Sequence, residues 1–291
     1  MIVPSVQTTT ASVALHYDEL DVFYREVWGE HVHHGLWLGG AESAERAVIQ
    51  LIEHIAARAH IRDGDAVCDV GCGYGATARL LAREFGAVVT GISITPRQIE
   101  YAREVRHTLQ SVAQRHPESQ NPSYRLGDWL TNDFPPDTFD AVIAIESTEH
   151  MSDKQRAFAE MARVLKPGGR LAVCAWLADE DAKPWQIRHL LGPICSEGRL
   201  SGMGTETEYR EFIRRAGFAI DGFEDLSAGV HRTWPICIWR VFVGCVRRPE
   251  WRRFLVNEGN ANRVFALTMF RIWLAYATDA MRYGLFAARR E

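Results

Sequence analysis

The period of the hydrophobic pattern changes sharply near residue 70. Apolar residues run from Ala66 to Val70, interrupted only by Asp69; Gly71, Gly73 and Gly75 then fall at every second position, and Ala76, Leu80, Leu81 and Ala82 share one helical face. That order reads as a buried parallel strand, a turn whose missing side chains let a ligand touch backbone, and a helix N-terminus with free N–H groups. The alternation continues with strand 87–92, helix 95–107, a loop with Pro117 and Pro122, and a short strand near 123–126. Strand 139–145, helix 152–165, the turn Pro167-Gly168-Gly169, strand 170–177, helix 205–216 and strand 218–225 follow. Gly284 to Arg289 is the expected last strand, closing the sheet. Strands separated by helices predict an α/β fold with a mostly parallel sheet covered on both faces, and a ligand site over the carboxyl ends of its strands.

Two regions flank this core. Residues 1–12 look like a loose tail, and 12–28 and 41–60 carry amphipathic helical patterns, the first with Leu20, Phe23, Tyr24 and Val27, the second with Leu51, Ile52 and Ile55. Between them, Trp28 to Trp37 gathers His31, His33 and His34 around two glycines. No carboxylate or cysteine partner sits at ligand spacing, and neighbouring His33 and His34 point apart in an extended segment, so no metal is expected. The segment reads instead as a loop crossing a cofactor mouth. Residues 227–283 are rich in large aromatics, and their charges are nearly all arginine. They suggest a helical lid before the last strand, with 178–204 contributing. Its arginines are either solvated or aimed at a diphosphate or a membrane surface. The expected organisation is a cap at 1–60, a core at 61–226 with 284–291, and a lid at 227–283.

Composition narrows the class of protein. With 47% hydrophobic and 24% charged residues, the 291-residue chain can bury a sizeable core, and a net charge of −4 argues against nucleic acid as a partner. No run of eighteen apolar residues predicts a transmembrane helix, and no basic-then-apolar start predicts a signal peptide. Six cysteines without a C-x-x-C pair read as small core residues in a reducing compartment, so a cytoplasmic enzyme is expected. The oligomeric state is not legible.

The glycine turn admits two chemistries. Gly71, Gly73 and Ala76 meet the dinucleotide fingerprint, but the next strand ends Thr90-Gly91-Ile92-Ser93 without the acidic residue that a nicotinamide cofactor's ribose wants. The alternative, Asp-x-Gly-x-Gly-x-Gly from Asp69 to Gly75, resembles motif I of the class I S-adenosylmethionine (AdoMet) methyltransferases. With Trp28-Gly-Glu-His-Val-His-His-Gly35 and Glu146-Ser-Thr-Glu-His-Met151, the chain is most similar to tocopherol methyltransferases within that Rossmann-like group. Benzylisoquinoline N-methyltransferases, sugar O-methyltransferases and, more distantly, cyclopropane fatty acid synthases are further resemblances.

Carried over by position, the resemblance implies a cofactor site. Gly71, Gly73 and Gly75 would form the turn, oriented by Asp69; Ser93 and Gln98 would meet the ribose; Asp128 and Trp129 would meet adenine. Ile145 would touch the cofactor through backbone, while Tyr17, His33 and His34 would cover its sulfonium end. The run Glu146, Glu149 and His150 would handle the acceptor's proton, although Glu149 and His150 could instead cap the helix beginning near Ser152. The expected reaction is methylation of a hydrophobic small molecule, first a prenylated or lipophilic phenol at carbon or oxygen. An amine, an isoprenoid diphosphate, a nicotinamide oxidoreductase and a non-catalytic AdoMet-binding module are the alternatives. At most a peripheral membrane contact is expected.

Overall fold

A computed structural model of the protein describes residues 1–4, 8–105 and 121–291. The end of the expected 95–107 helix and the loop with Pro117 lie outside those residues. The chain opens with α1 (Thr10–Glu19), α2 (Asp21–Val27) and α3 (Ala44–Arg58). It continues through β1 (Ala66–Val70), α4 (Ala76–Phe85), β2 (Val88–Ser93), α5 (Pro96–Val105), β3 (Ser123–Leu126), β4 (Phe139–Ile145) and α6 (Lys154–Val164). Then come β5 (Leu165–Ala178), α7 (Pro184–Gln186), a π-helical turn at Ile187–Leu191, α8 (Gly192–Glu197), α9 (Glu206–Arg215) and β6 (Phe218–Asp225). Last are α10 (Ser227–Val230), α11 (Thr233–Arg247), α12 (Pro249–Val256), α13 (Phe265–Ala277) and β7 (Met281–Arg290).

The sheet has seven strands in the order β3-β2-β1-β4-β5-β7-β6. Strands β1 to β5 pair in parallel, whereas β7 runs antiparallel to both β5 and β6. The last strand therefore does not close an edge; it slips between β5 and β6. Alternate strand residues serve opposite faces: Val67 packs with Leu51, Ile55 and Leu81 on one side, Cys68 and Val70 with Phe158 and Met161 on the other. This period-two division produces the three layers. The same antiparallel register sets Tyr283 opposite Trp176, near the carboxyl end of β4.

Three expectations need correction. The single helix expected over 12–28 is two, broken at Leu20 (φ −94°, ψ 3°), and Asp21 at the break is buried, accepting from the Tyr74 hydroxyl at 2.6 Å. The start of the chain is not loose where it is described. Ile2 bridges Met203, Thr8 Oγ1 donates to the Leu200 carbonyl at 3.2 Å, and Thr9 makes a capping box with Ser12. Finally, β5 begins at Leu165, before the Pro167-Gly168-Gly169 turn, because Leu165 pairs with Phe139 across a register shift.

Candidate active site

The three turn glycines have positive φ, +81° at Gly71, +53° at Gly73 and +72° at Gly75, but their missing side chains serve different neighbours. A Cβ at Gly71 would stand 2.3 Å from the Ser147 Cβ, and one at Gly75 would stand 2.5 Å from the Tyr124 ring. A Cβ at Gly73 would meet nothing within 4 Å. Two glycines thus make room for protein, and the middle one leaves space on the wall of a cavity of about 870 Å³. Asp69, behind the turn, is fully buried; burial pushes its carboxyl up to about 7, and Oδ2 has no hydrogen-bond partner among the described residues.

That cavity collects most of the expected cofactor residues. Ser93 Oγ donates to Gln98 Oε1 at 3.2 Å, and both buried side chains line it. Asp128 accepts from the Leu130 amide at 2.9 Å and from Thr10 Oγ1 at 2.8 Å, tying helix α1 to the turn after β3. Trp129 lines the cavity too, yet its indole N–H is committed to the Ala157 carbonyl at 3.0 Å, so the residue is also core. Ile145 and Tyr17 complete the wall. His33 and His34 do not line it. The histidine segment reaches this cavity through Val32, and its imidazoles lie elsewhere. His33 faces the opposite side, with Nδ1 donating to the His34 carbonyl at 2.8 Å, and lines a surface cleft with His31. The loop therefore does not cross the mouth with its rings.

His34 lines a second cavity, of about 750 Å³, roofed by α8, α11 and α13. Tyr17, Val32, Glu146 and His150 line both cavities, so they form the partition between them. His150 Nδ1 is 3.0 Å from the Arg199 carbonyl, which only accepts; Nδ1 carries the proton. Nε2 is then the acceptor for the Tyr17 hydroxyl at 2.9 Å. Burial lowers the His150 pKa to about 4 and raises the Tyr17 phenol well above its usual range. At neutral pH the pair is an uncharged base and an uncharged donor.

Glu146 sits just past β4 in a left-handed conformation (φ +52°), which turns its carboxylate toward the partition. Four donors converge on it. Oε1 accepts from the His34 amide at 2.8 Å, His34 Nδ1 at 2.9 Å and the Tyr283 hydroxyl at 2.8 Å; Oε2 accepts from the Trp176 indole at 3.0 Å. The Trp234 indole N–H points at His34 Nε2 at 2.8 Å, and since an indole only donates, the His34 proton is on Nδ1. Burial alone would raise the Glu146 carboxyl, but the adjacent His34 and His33 rings and the hydrogen bonds from His34 outweigh it and hold the pKa at about 2. The site thus keeps an ionised carboxylate at its centre.

Glu149 differs. It is buried and accepts from the Trp176 backbone amide; burial dominates and raises its carboxyl. Lys154, lowered by burial, donates at 3.4 Å to the carbonyls of Glu149 and Met151. Capping does not explain Glu149 or His150, because Asp153 caps α6, accepting from the Arg156 amide at 2.8 Å. His16, Trp176 and Trp234 line the second cavity, and Tyr276 and Tyr283 pack against the His34 ring; the aromatic richness of 227–283 signals three of these residues, while nothing local singles out His16 or Trp176. All of them together come from α1, β5, α11, α13 and β7, and only the fold brings them together.

Comparison with known proteins fits this arrangement. A methyltransferase-domain family model matches residues 68–173. The chain is 32% identical over 237 residues to a probable chloroplastic tocopherol O-methyltransferase of Oryza sativa subsp. japonica, covering 76% of this chain and 63% of that protein. It is 30% identical over 231 residues to the 27-O-demethylrifamycin SV methyltransferase of Amycolatopsis mediterranei, covering 78% and 80% respectively. Among solved structures, the (4+2)-cyclase SpnF matches with a TM-score of 0.78 and 25% identity, over 100% of this chain and 99% of that one. With the turn, the sheet order and these matches together, the chain belongs to the class I S-adenosylmethionine-dependent methyltransferases.

Proposed function

We propose that the enzyme transfers a methyl group to a lipophilic small molecule carrying a hydroxyl, first a prenylated or otherwise apolar phenol, at an aromatic carbon or oxygen. The observation that carries this reading is the Tyr17–His150 pair, which faces a glycine-turn cavity on one side and an aromatic, apolar chamber on the other.

The residues of the first cavity fit AdoMet. The open space beside Gly73 is what a closely approaching ligand needs, and the Ser93 hydroxyl and Gln98 amide are groups that hold ribose hydroxyls. Asp128 and Trp129 would take the adenine, Gly71, Gly75 and Asp69 would shape the turn, and Ile145 would offer backbone. Tyr17 would cover the sulfonium end, and the ionised Glu146 at the partition favours a cation by Coulomb attraction. Once bound, AdoMet supplies an electrophilic methyl on a sulfonium. The protein's task is alignment, exclusion of water and acceptance of one proton.

For that proton, Tyr17 Oη accepts from the acceptor's hydroxyl while donating to His150 Nε2. A base with a pKa of about 4 is weak at rest. It suffices because an oxygen becomes far more acidic as it bonds to the incoming methyl. Ile194, Leu200, Phe265, Met269 and Ile272 supply the apolar wall for the rest of the acceptor.

An amine acceptor is the second reading, because Glu146, Glu149 and Glu197 line the chamber while no lysine or arginine does among the described residues. The same lack of cations counts against a diphosphate. Methyl-labelled AdoMet offered with a panel of apolar phenols, amines and isoprenoid diphosphates tests the proposal. Label in the phenols supports it, and label only in amines or diphosphates overturns it. Cofactor binding with no transfer to any of them would instead point to a chamber used without methylation.

A further inference from the structure

We infer that the outer face of α11 and α13 docks this enzyme onto an anionic lipid surface. Helix α13 is apolar on two opposite sides. Phe265, Met269 and Ile272 line the chamber, while Leu267 and Phe270 are 50% and 51% exposed and Trp273 and Leu274 are exposed beside them. Helix α11, packed against it, adds Trp239, Phe242 and Val246 at 63%, 57% and 64% exposure, spaced three and four residues apart on one stripe. A helix apolar all round belongs where both sides are covered, and here one side faces outward.

Charge selects the covering partner. Residues 233–277 hold seven arginines and two glutamates, with no lysine or aspartate, so this segment is +5 within a chain of −4. Arg240 and Arg271 are paired with Glu45 and Glu197, and Arg248 with Glu26; Arg247, Arg252 and Arg253 are exposed at the corner between α11 and α12. A second copy related by a two-fold axis would offer no counter-charge to the exposed arginines at the α11–α12 end of this apolar face. Anionic head groups complement it, and tryptophan and arginine are the residues that settle at a lipid–water interface. Among the described residues no helix is long and apolar enough to cross a membrane, so the contact is peripheral. If the acceptor is lipophilic, as proposed above, only the thickness of α13 separates it from the chamber; the docking itself does not depend on that reading.

Flotation of the whole protein with vesicles tests this without cofactor or acceptor. Binding is expected to vesicles of phosphatidylcholine with phosphatidylglycerol, weaker with phosphatidylcholine alone and reduced by salt. The double variant Trp239→Ser/Phe242→Ser should weaken it by roughly tenfold or more, from two lost apolar anchors. Its melting temperature and its S-adenosylhomocysteine affinity should stay unchanged, because both side chains are mostly exposed. Arg247→Glu/Arg253→Glu should remove the preference for anionic vesicles. No flotation with either vesicle, or equal flotation of the double variant, overturns the inference. So does a solution dimer that the Trp239→Ser/Phe242→Ser change disperses, since the face would then be a subunit interface.

Discussion

The two cavities on either side of Tyr17 and His150 are built on different plans. The first is made mainly by turns that follow β1 to β4, each a few residues long and anchored to the sheet. The second takes its walls from α1, α2, the 31–34 segment, β5, α8, α11 and α13, parts of the chain separated by up to about 260 residues. One site is held by backbone geometry that the sheet imposes. The other is held by side chains whose packing can change without disturbing the sheet. Under the proposed assignment of cofactor to the first cavity and acceptor to the second, this difference would let one scaffold keep its cofactor while its acceptors change.

Four experiments would break or sharpen that contrast. The largest effect is expected at the glycine turn. Gly73→Val should lower S-adenosylhomocysteine affinity by on the order of 100-fold or more by calorimetry, by putting a side chain into open cavity space, while the protein stays folded apart from about 1–2 kcal/mol of left-handed strain. Gly71→Ala should fail differently, through lower stability in chemical denaturation, because its Cβ would meet Ser147. If both behave alike, the assignment of separate duties to these glycines is wrong.

The second effect lies at the partition. His150→Ala should cut turnover by about 10²–10⁴-fold while S-adenosylhomocysteine affinity changes only a few-fold. An unchanged rate would remove His150 from the reaction. The third is confined to the chamber. Met269→Trp should raise KM for a bulky acceptor by roughly tenfold, at a stability cost of about 1–3 kcal/mol, and leave the cofactor affinity alone. A matching loss of cofactor affinity would mean that the two cavities are not independent.

The fourth effect concerns pH. Burial lowers the His16 pKa to about 4, so the unfolded chain, with its histidine near 6.5, binds the proton first as pH falls. Stability from this group is therefore present above about 6.5 and is lost down toward 4. At pH 5 the loss is about 2 kcal/mol. His16→Gln should flatten the fall in melting temperature between pH 7 and 5. Asp69 acts with the opposite sign, since burial raises its pKa to about 7, and Asp69→Asn should steepen the same fall.

The glycine turn, the strand–helix alternation and the Glu146–Glu149–His150 run were readable from sequence, because each is a local pattern whose meaning depends on neighbours a few residues away. The resemblance placed Ser93 and Gln98 together at one β–α turn, and the structure adds the hydrogen bond between them. The insertion of β7 between β5 and β6 was not readable, since a strand's alternation carries no information about which partner it pairs with. Neither was the side of the partition that His34 would take, because that depends on Trp234 and Tyr283, about 200 and 250 residues further on.

What the sequence determined by itself was therefore the sheet's parallel part and the glycine turn, consequences of short-range periodicity and of glycine's freedom at positive φ, while the run of groups at the end of β4 was marked by its resemblance to known methyltransferases. Only the tertiary structure decided that Glu146 is an ionised centre with four donors, that the Tyr17 hydroxyl donates to His150 between two cavities, and that, among the described residues, no arginine of 227–283 lines the chamber. Those properties arise from burial and from contacts between distant segments, and neither exists until the chain has packed.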